Sequence, residues 1–235
     1  MIKKMKKELP EVSEATRYKP EYTWNYEVGS HLTLWEGRLL ADLSAFYMDT
    51  RNQQIAKFAE NGLGRITVNA GKSHSYGAEA SLRAALTTAF TVNASYGYTY
   101  ATFKEYATNT KIDGETQPVD YNGNYVPFVP KHTLSLGGQY IFRINPGHWL
   151  DRIQVNADYT GAGRIYWTEQ NDVSQAFYGT LNGRLSLQKG NGQIDFWVRN
   201  VLDKDYAAFY FESMGNGFMQ KGRPIQAGIE LRCRF

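Results

Sequence analysis

The feature that most constrains this chain is an alternation of apolar and polar residues at every second position, repeated along most of its length. Tyr22, Trp24, Tyr26, Val28 and Leu32 share one parity, against Thr23, Asn25, Glu27 and His31 on the other. Phe90, Val92, Ala94, Tyr96, Tyr98 and Tyr100 alternate in the same way with Thr91, Asn93, Ser95 and Thr99. Successive side chains of an extended strand point to opposite faces, so each such segment predicts a strand with one apolar row and one polar row. The pattern recurs in nine segments: 22–32, 39–50, 75–84, 90–100, 133–140, 153–160, 177–187, 194–199 and 225–235. Several reach the roughly nine to eleven residues with which a tilted strand crosses a bilayer, beyond the five or six usual in soluble sheets.

The spacing between segments adds a second constraint. Connections 34–38, 86–89, 143–151 and 188–192 are short, whereas 51–72, 104–131, 161–176 and 200–222 are long, and the two kinds alternate without exception. An up-and-down barrel in an outer membrane has short periplasmic turns and long extracellular loops. Aromatics gather where such strands would meet the two interfaces: Tyr22, Trp24, Tyr26, Tyr96, Tyr98 and Tyr100 at the outer rim, Phe90 and Phe235 at the inner. The reading is all-β: an antiparallel transmembrane up-and-down barrel portion of about nine strands.

Composition narrows the alternatives. Mean hydropathy is negative, and no run of roughly eighteen apolar residues exists, which excludes a transmembrane helix but not a strand barrel. The net charge of +3 owes much to Lys3, Lys4, Lys6 and Lys7; without these four, 22 basic residues face 23 acidic ones. That balance carries no nucleic-acid footprint, so no nucleic-acid partner is expected. The lysine cluster resembles the start of a signal peptide, but Glu8, Leu9, Pro10 and Glu11 follow in place of an apolar core. Residues 1–17 are therefore expected to be a disordered tail without a signal peptide, and 18–235 the barrel. Cys233 is the only cysteine and has no internal disulfide partner.

Three stretches resemble the TonB-dependent outer-membrane receptors. Lys19-Pro20-Glu21 followed by Tyr26-Glu27-Val28-Gly29 looks like the family's K-P-E…Y-E-x-G lead-in to a barrel strand. Asn69-Ala70-Gly71 followed by Gly77-Ala78-Glu79 is similar to its N-x-G…G-x-E segment in mid-barrel. Asn200-Val201-Leu202-Asp203-Lys204-Asp205-Tyr206, with Gly222-Arg223-Pro224 and a strand closing on Phe235, resembles the family's N-L-F-D-K-x-Y…G-R ending, with Val201 and Leu202 where Leu and Phe are usual. The terminal Phe235 looks like a signal read by the barrel-assembly machinery. The resemblance implies the bacterial outer membrane and its lipid as surroundings, and a parent protein that imports a ferric siderophore or similar large nutrient. It further implies contact with the TonB energy-coupling complex only through an N-terminal plug, which is missing here. A nine-strand fragment with two open edges is expected not to transport by itself.

No catalytic constellation emerges, and neither enzyme activity nor a cofactor is expected. His31, His74, His132 and His148 are scattered, without metal-ligand spacing. Asp203 and Asp205 read as turn residues. The long connections carry aromatics that could contact a ligand: Tyr121, Tyr125 and Phe128; Tyr166 and Trp167; Tyr210, Phe211, Phe218 and Met219. The same rings could instead pack the loops against one another. Arg164 and Lys221 could attract an anionic ferric chelate, but solvated loop charge is the default reading for both. Two other functions fit the pattern less fully: a small stand-alone outer-membrane pore or adhesin, and a soluble β-sheet binding module.

Overall fold

The computed structural model describes residues 18–58, 65–112, 115–213 and 215–234. The expectations for the tail 1–17 and for Phe235 lie outside these residues. Nine strands form one antiparallel sheet: β1 (Tyr22–Leu34), β2 (Leu39–Phe58), β3 (Arg65–Ala85), β4 (Phe90–Glu105), β7 (His132–Arg143), β8 (Arg152–Ala162), β11 (Tyr178–Lys189), β12 (Gly192–Arg199) and β15 (Gln226–Cys233). They pair in sequence order, as an up-and-down meander. Among the described residues, β1 and β15 each have a strand neighbour on one side only.

The remaining strands lie within the long connections. β5 (Ala107–Ile112) pairs with β6 (Glu115–Asp120), β9 (Ile165–Tyr166) with β10 (Ser174–Gln175), and β13 (Ala207–Ser213) with β14 (Asn216–Lys221). The expected loop 51–72 is instead mostly strand, because β2 and β3 stay paired out to Phe58 and Arg65. This corrects the sequence-based boundaries. Alternation is lost at Arg51-Asn52-Gln53-Gln54, yet backbone pairing needs no apolar face once a hairpin projects beyond lipid.

Register converts the alternation into continuous rows. Tyr26 pairs with Tyr47, Tyr47 with Tyr76, and Tyr76 with Tyr100, a four-strand tyrosine belt on the apolar face. Lower down, Phe142, Ile153, Leu187, Ile194 and Leu231 align across five strands. No second layer covers this face: Val28, Leu43 and Leu231 remain 72%, 51% and 74% exposed. An apolar face of this extent is the surface a membrane covers. Among the described residues, no helix is long and apolar enough to cross a membrane.

The opposite face is polar. His31 and Ser81 both hydrogen-bond Asp42. Arg184 reaches Asp195 at 3.3 Å and Glu230 at 3.2 Å, and Arg232 reaches Glu230 at 2.8 Å. A charged row on the solvated face avoids the roughly 2–4 kcal/mol that a lipid-facing Arg or Lys costs at the midplane. Large rings fill the gaps left by glycines on neighbouring strands: a Cβ at Gly179 would collide with Tyr159, and one at Gly228 with Trp197.

The short-turn end is stitched by cations onto neighbouring turns. Arg38 donates to the carbonyls of Ala85 and Leu86, Arg143 to that of Thr88, and Lys189 to that of His148 and to Asp151. At the other end the motifs hold the sheet margin. Asn69 accepts from the Lys19 amide at 2.7 Å and donates to the carbonyls of Lys19 and Asn52, so the first two resembling stretches are in contact. Asn200, buried and at φ 49°, donates to the carbonyls of Lys204 and Arg223 and accepts from the Lys204 amide. Asp203 accepts from the Ile225 amide at 2.9 Å, a turn role as its composition suggested.

Candidate ligand-binding site

The described residues bury few apolar side chains, and most of these lie at the long-connection end. Ala70, Phe103, Tyr106 and Tyr121 form one buried cluster, with Ile55, Val119 and Val126 packed against it. Phe103 meets Tyr106 at 4.9 Å between ring centroids, and Tyr106 meets Tyr121 at 5.3 Å. A Cβ at Gly71 would strike the Glu105 carbonyl, so the glycine lets β3 and the end of β4 approach closely. Burial pushes the Tyr106 phenol far above its ordinary range. It also raises the Tyr121 phenol, against a hydrogen bond from Gln170 that lowers it; Glu169, Asp172 and Glu212 raise it further.

Two loops are clamped together over this cluster. Asn171, at φ 61°, accepts from the Tyr125 amide at 2.6 Å and donates to the Tyr125 carbonyl at 2.9 Å. Asn124 donates to the Glu169 carbonyl at 2.8 Å, and the Phe128 amide to the Tyr166 carbonyl at 2.8 Å. Asn tolerates the left-handed backbone with little cost, which suits it to this position.

Beside the clamp lies a cavity of about 440 Å³, within the range of small-molecule sites. Phe128, Trp167, Phe209 and Phe211 give it aromatic lining, joined by Tyr121 and by Gln53, Gln54 and Ile55 of the extended β2 hairpin. Phe128 stacks on Phe209 at 5.6 Å and meets Trp167 edge-on at 5.6 Å. The stack continues through Phe211 to Phe218, which does not line the cavity.

Of the eight ring residues singled out from sequence, the structure brings Tyr121, Phe128, Trp167 and Phe211 to the cavity, and Tyr210 and Phe218 do not line it. Tyr125 and Tyr166 stack on each other at 5.2 Å outside it, beneath Lys131, whose ammonium hydrogen-bonds the Tyr125 hydroxyl at 3.2 Å. Phe209 and the β2 residues carried no signal in the sequence; Gln53 and Ile55 arrive through a hairpin pairing that no local pattern announces. Arg164 hydrogen-bonds Ser174, Lys221 of β14 pairs with Ala207 of β13, and neither lines the cavity, whose charged residues are Glu169 and Glu212. Among the described residues, no group of three or more His, Cys, Asp or Glu is placed to hold a metal ion.

Comparison with known proteins matches this architecture. The family profile described as TonB dependent receptor-like, beta-barrel matches residues 11–201. The pesticin receptor of Yersinia pestis is 25% identical over 227 residues, which is 94% of this chain and 30% of that protein. The ferrichrome outer membrane transporter/phage receptor of Escherichia coli K12 is 28% identical over 203 residues, covering 84% of this chain and 25% of that protein. The crystal structure of the ferric yersiniabactin uptake receptor FyuA from Yersinia pestis shares the fold, with a TM-score of 0.74 at 20% identity over 92% of this chain and 30% of that one. The chain thus spans less than a third of the length of these relatives.

Proposed function

Because this chain belongs to the TonB-dependent receptor-like β-barrel family, we propose that residues 18–235 are the C-terminal share of an outer-membrane receptor that imports a ferric siderophore or a similar large nutrient. The observation that carries this reading is the aromatic cavity among the long connections, at one end of a sheet whose apolar face is open to lipid. On this reading the long connections face outward, and Tyr121, Phe128, Trp167 and Phe211 contact the ligand. The barrel acts by binding and by forming a passage, without covalent chemistry. Coupling to TonB belongs to the receptor's N-terminal plug, and insertion to the barrel-assembly machinery. With β1 and β15 each paired on one side, the nine-stranded sheet alone does not transport, since open edges are costly in lipid.

The test is binding of a panel of ferric chelates to the full chain refolded in a neutral detergent. Folding is verified by a gel mobility that changes on boiling. One chelate is expected to quench Trp fluorescence saturably, and Phe128→Ala to weaken it. Failure of every chelate to bind the folded chain would remove this reading.

A further inference from the structure

The cavity combines aromatic walls with carboxylates that lack cationic partners. Phe128 and Phe209 lie nearly parallel, 19° apart, with Trp167 against the edge of Phe128. Glu169 and Glu212 are its charged lining residues. Among the described residues neither carboxylate joins an ion pair; Glu212 accepts only the Tyr210 hydroxyl, at 2.9 Å. The nearby cations are committed elsewhere: Lys131 to the Tyr125 hydroxyl and the faces of Tyr100 and Tyr125, and Arg164 to Ser174. Asp172, bonded to the Thr168 hydroxyl at 2.5 Å, adds a third negative charge. Burial chiefly raises the Tyr121 phenol, and the charges of Glu169, Asp172 and Glu212 add to that rise.

We infer that this cavity selects a ligand portion that carries positive charge, an ammonium or guanidinium group on an apolar body, rather than an anionic one. Ring faces attract such a cation through their quadrupoles, and the two carboxylates supply long-range attraction from the rim. An anionic group would meet uncompensated like charge there. The inference rests on the ligand-site reading above and names the charge class of what that site accepts.

The experiment uses the full chain refolded in dodecyl maltoside, with Trp fluorescence as readout and Trp167→Phe to identify the reporting ring. Three probes are compared: benzyltrimethylammonium, benzyl alcohol and phenylmethanesulfonate. Benzyltrimethylammonium is expected to bind roughly tenfold more tightly than phenylmethanesulfonate. The doubly substituted Glu169→Gln/Glu212→Gln chain, with its heat-dependent mobility intact, is expected to lose that preference. Equal or tighter binding of the sulfonate, or a preference that survives the double substitution, overturns the inference. If all three probes bind alike and Phe128→Ala weakens them alike, the ligand site stands and only its charge selection falls. If no probe binds the folded chain while a ferric chelate still does, only the charge selection falls; if neither binds, both fall.

Discussion

Asn171 and Tyr125 hold each other by both backbone groups of the tyrosine: one amide side chain accepts from the Tyr125 N–H and donates to its carbonyl. The same nitrogen also reaches the Thr168 carbonyl at 3.0 Å. Asn171→Gly keeps the φ of 61° accessible but removes every one of these bonds; Asn171→Ala adds backbone strain. Each is expected to cost about 1–3 kcal/mol of local stability, alanine the more. Amide exchange at Tyr125 checks it, and an unchanged rate in the glycine variant would refute the clamp.

Asn69 joins the segment before β1 to β3 across β2. Asn69→Ala is expected to destabilise that margin by about 1–2 kcal/mol, moderated by its partial exposure. Faster amide exchange at Lys19, whose N–H donates to the Asn69 side chain, is the readout. Pairing along β1 and β2 should persist, since thirteen register pairs hold it independently.

The Asp195 carboxylate is fully buried and Arg184 is its cationic partner. Arg184→Met leaves that charge with only the neutral hydrogen-bond partners Gln193, at 2.8 Å, and Ser186. A loss of roughly 3 kcal/mol is expected, because removing one partner of a buried pair strands the other. Urea midpoints of the refolded chain measure it. Arg184→Met combined with Asp195→Leu should recover much of the loss.

Asp151 lies in a short turn, where the Gly190 amide and the Lys189 ammonium hold its carboxyl below the ordinary aspartate value. A depressed folded pKa means that this contribution is present above the unfolded value of about 3.9 and is lost as pH falls through the folded pKa. Asp151→Asn should flatten the acid limb of the stability curve below that value. An acid limb of the same depth in the variant would assign acid sensitivity to other groups.

The buried phenols act at the opposite extreme. Tyr106 and Tyr121 are raised above the ordinary value, chiefly by burial. The unfolded chain releases these protons first, so stability is intact below about pH 10 and falls as pH rises beyond it. Absorbance titration of tyrosinate should show a late component that Tyr106→Phe removes.

Strand count and order were legible because each bilayer crossing needs an apolar row, and that row is written at every second residue. The hairpins above it were not. β13 and β14, or the outer halves of β2 and β3, lie beyond lipid, where pairing imposes no alternation. Loop rings such as Phe128 and Trp167 were recognisable by type alone. Their meeting with Gln53 and Ile55 depends on tertiary pairing across more than seventy positions, and the absence of Arg164 and Lys221 from the cavity depends on where their loops turn. A motif such as Asn69-Ala70-Gly71 was visible as letters; its work, gripping Lys19 and admitting the Glu105 backbone, is visible only in three dimensions.

The tyrosine row from Tyr26 to Tyr100 also sets a waterline. On β4, ten residues separate Tyr100 from Phe90, roughly 34 Å of strand. At a tilt of about 45° that is about 24 Å of depth, close to the roughly 25 Å apolar band of such barrels. Phenol rings settle at headgroup level, so the sheet can float at one draught only. Because the cavity is fixed to the same strands beyond that line, it faces the aqueous medium, and solutes reach it from water rather than by sliding out of the bilayer.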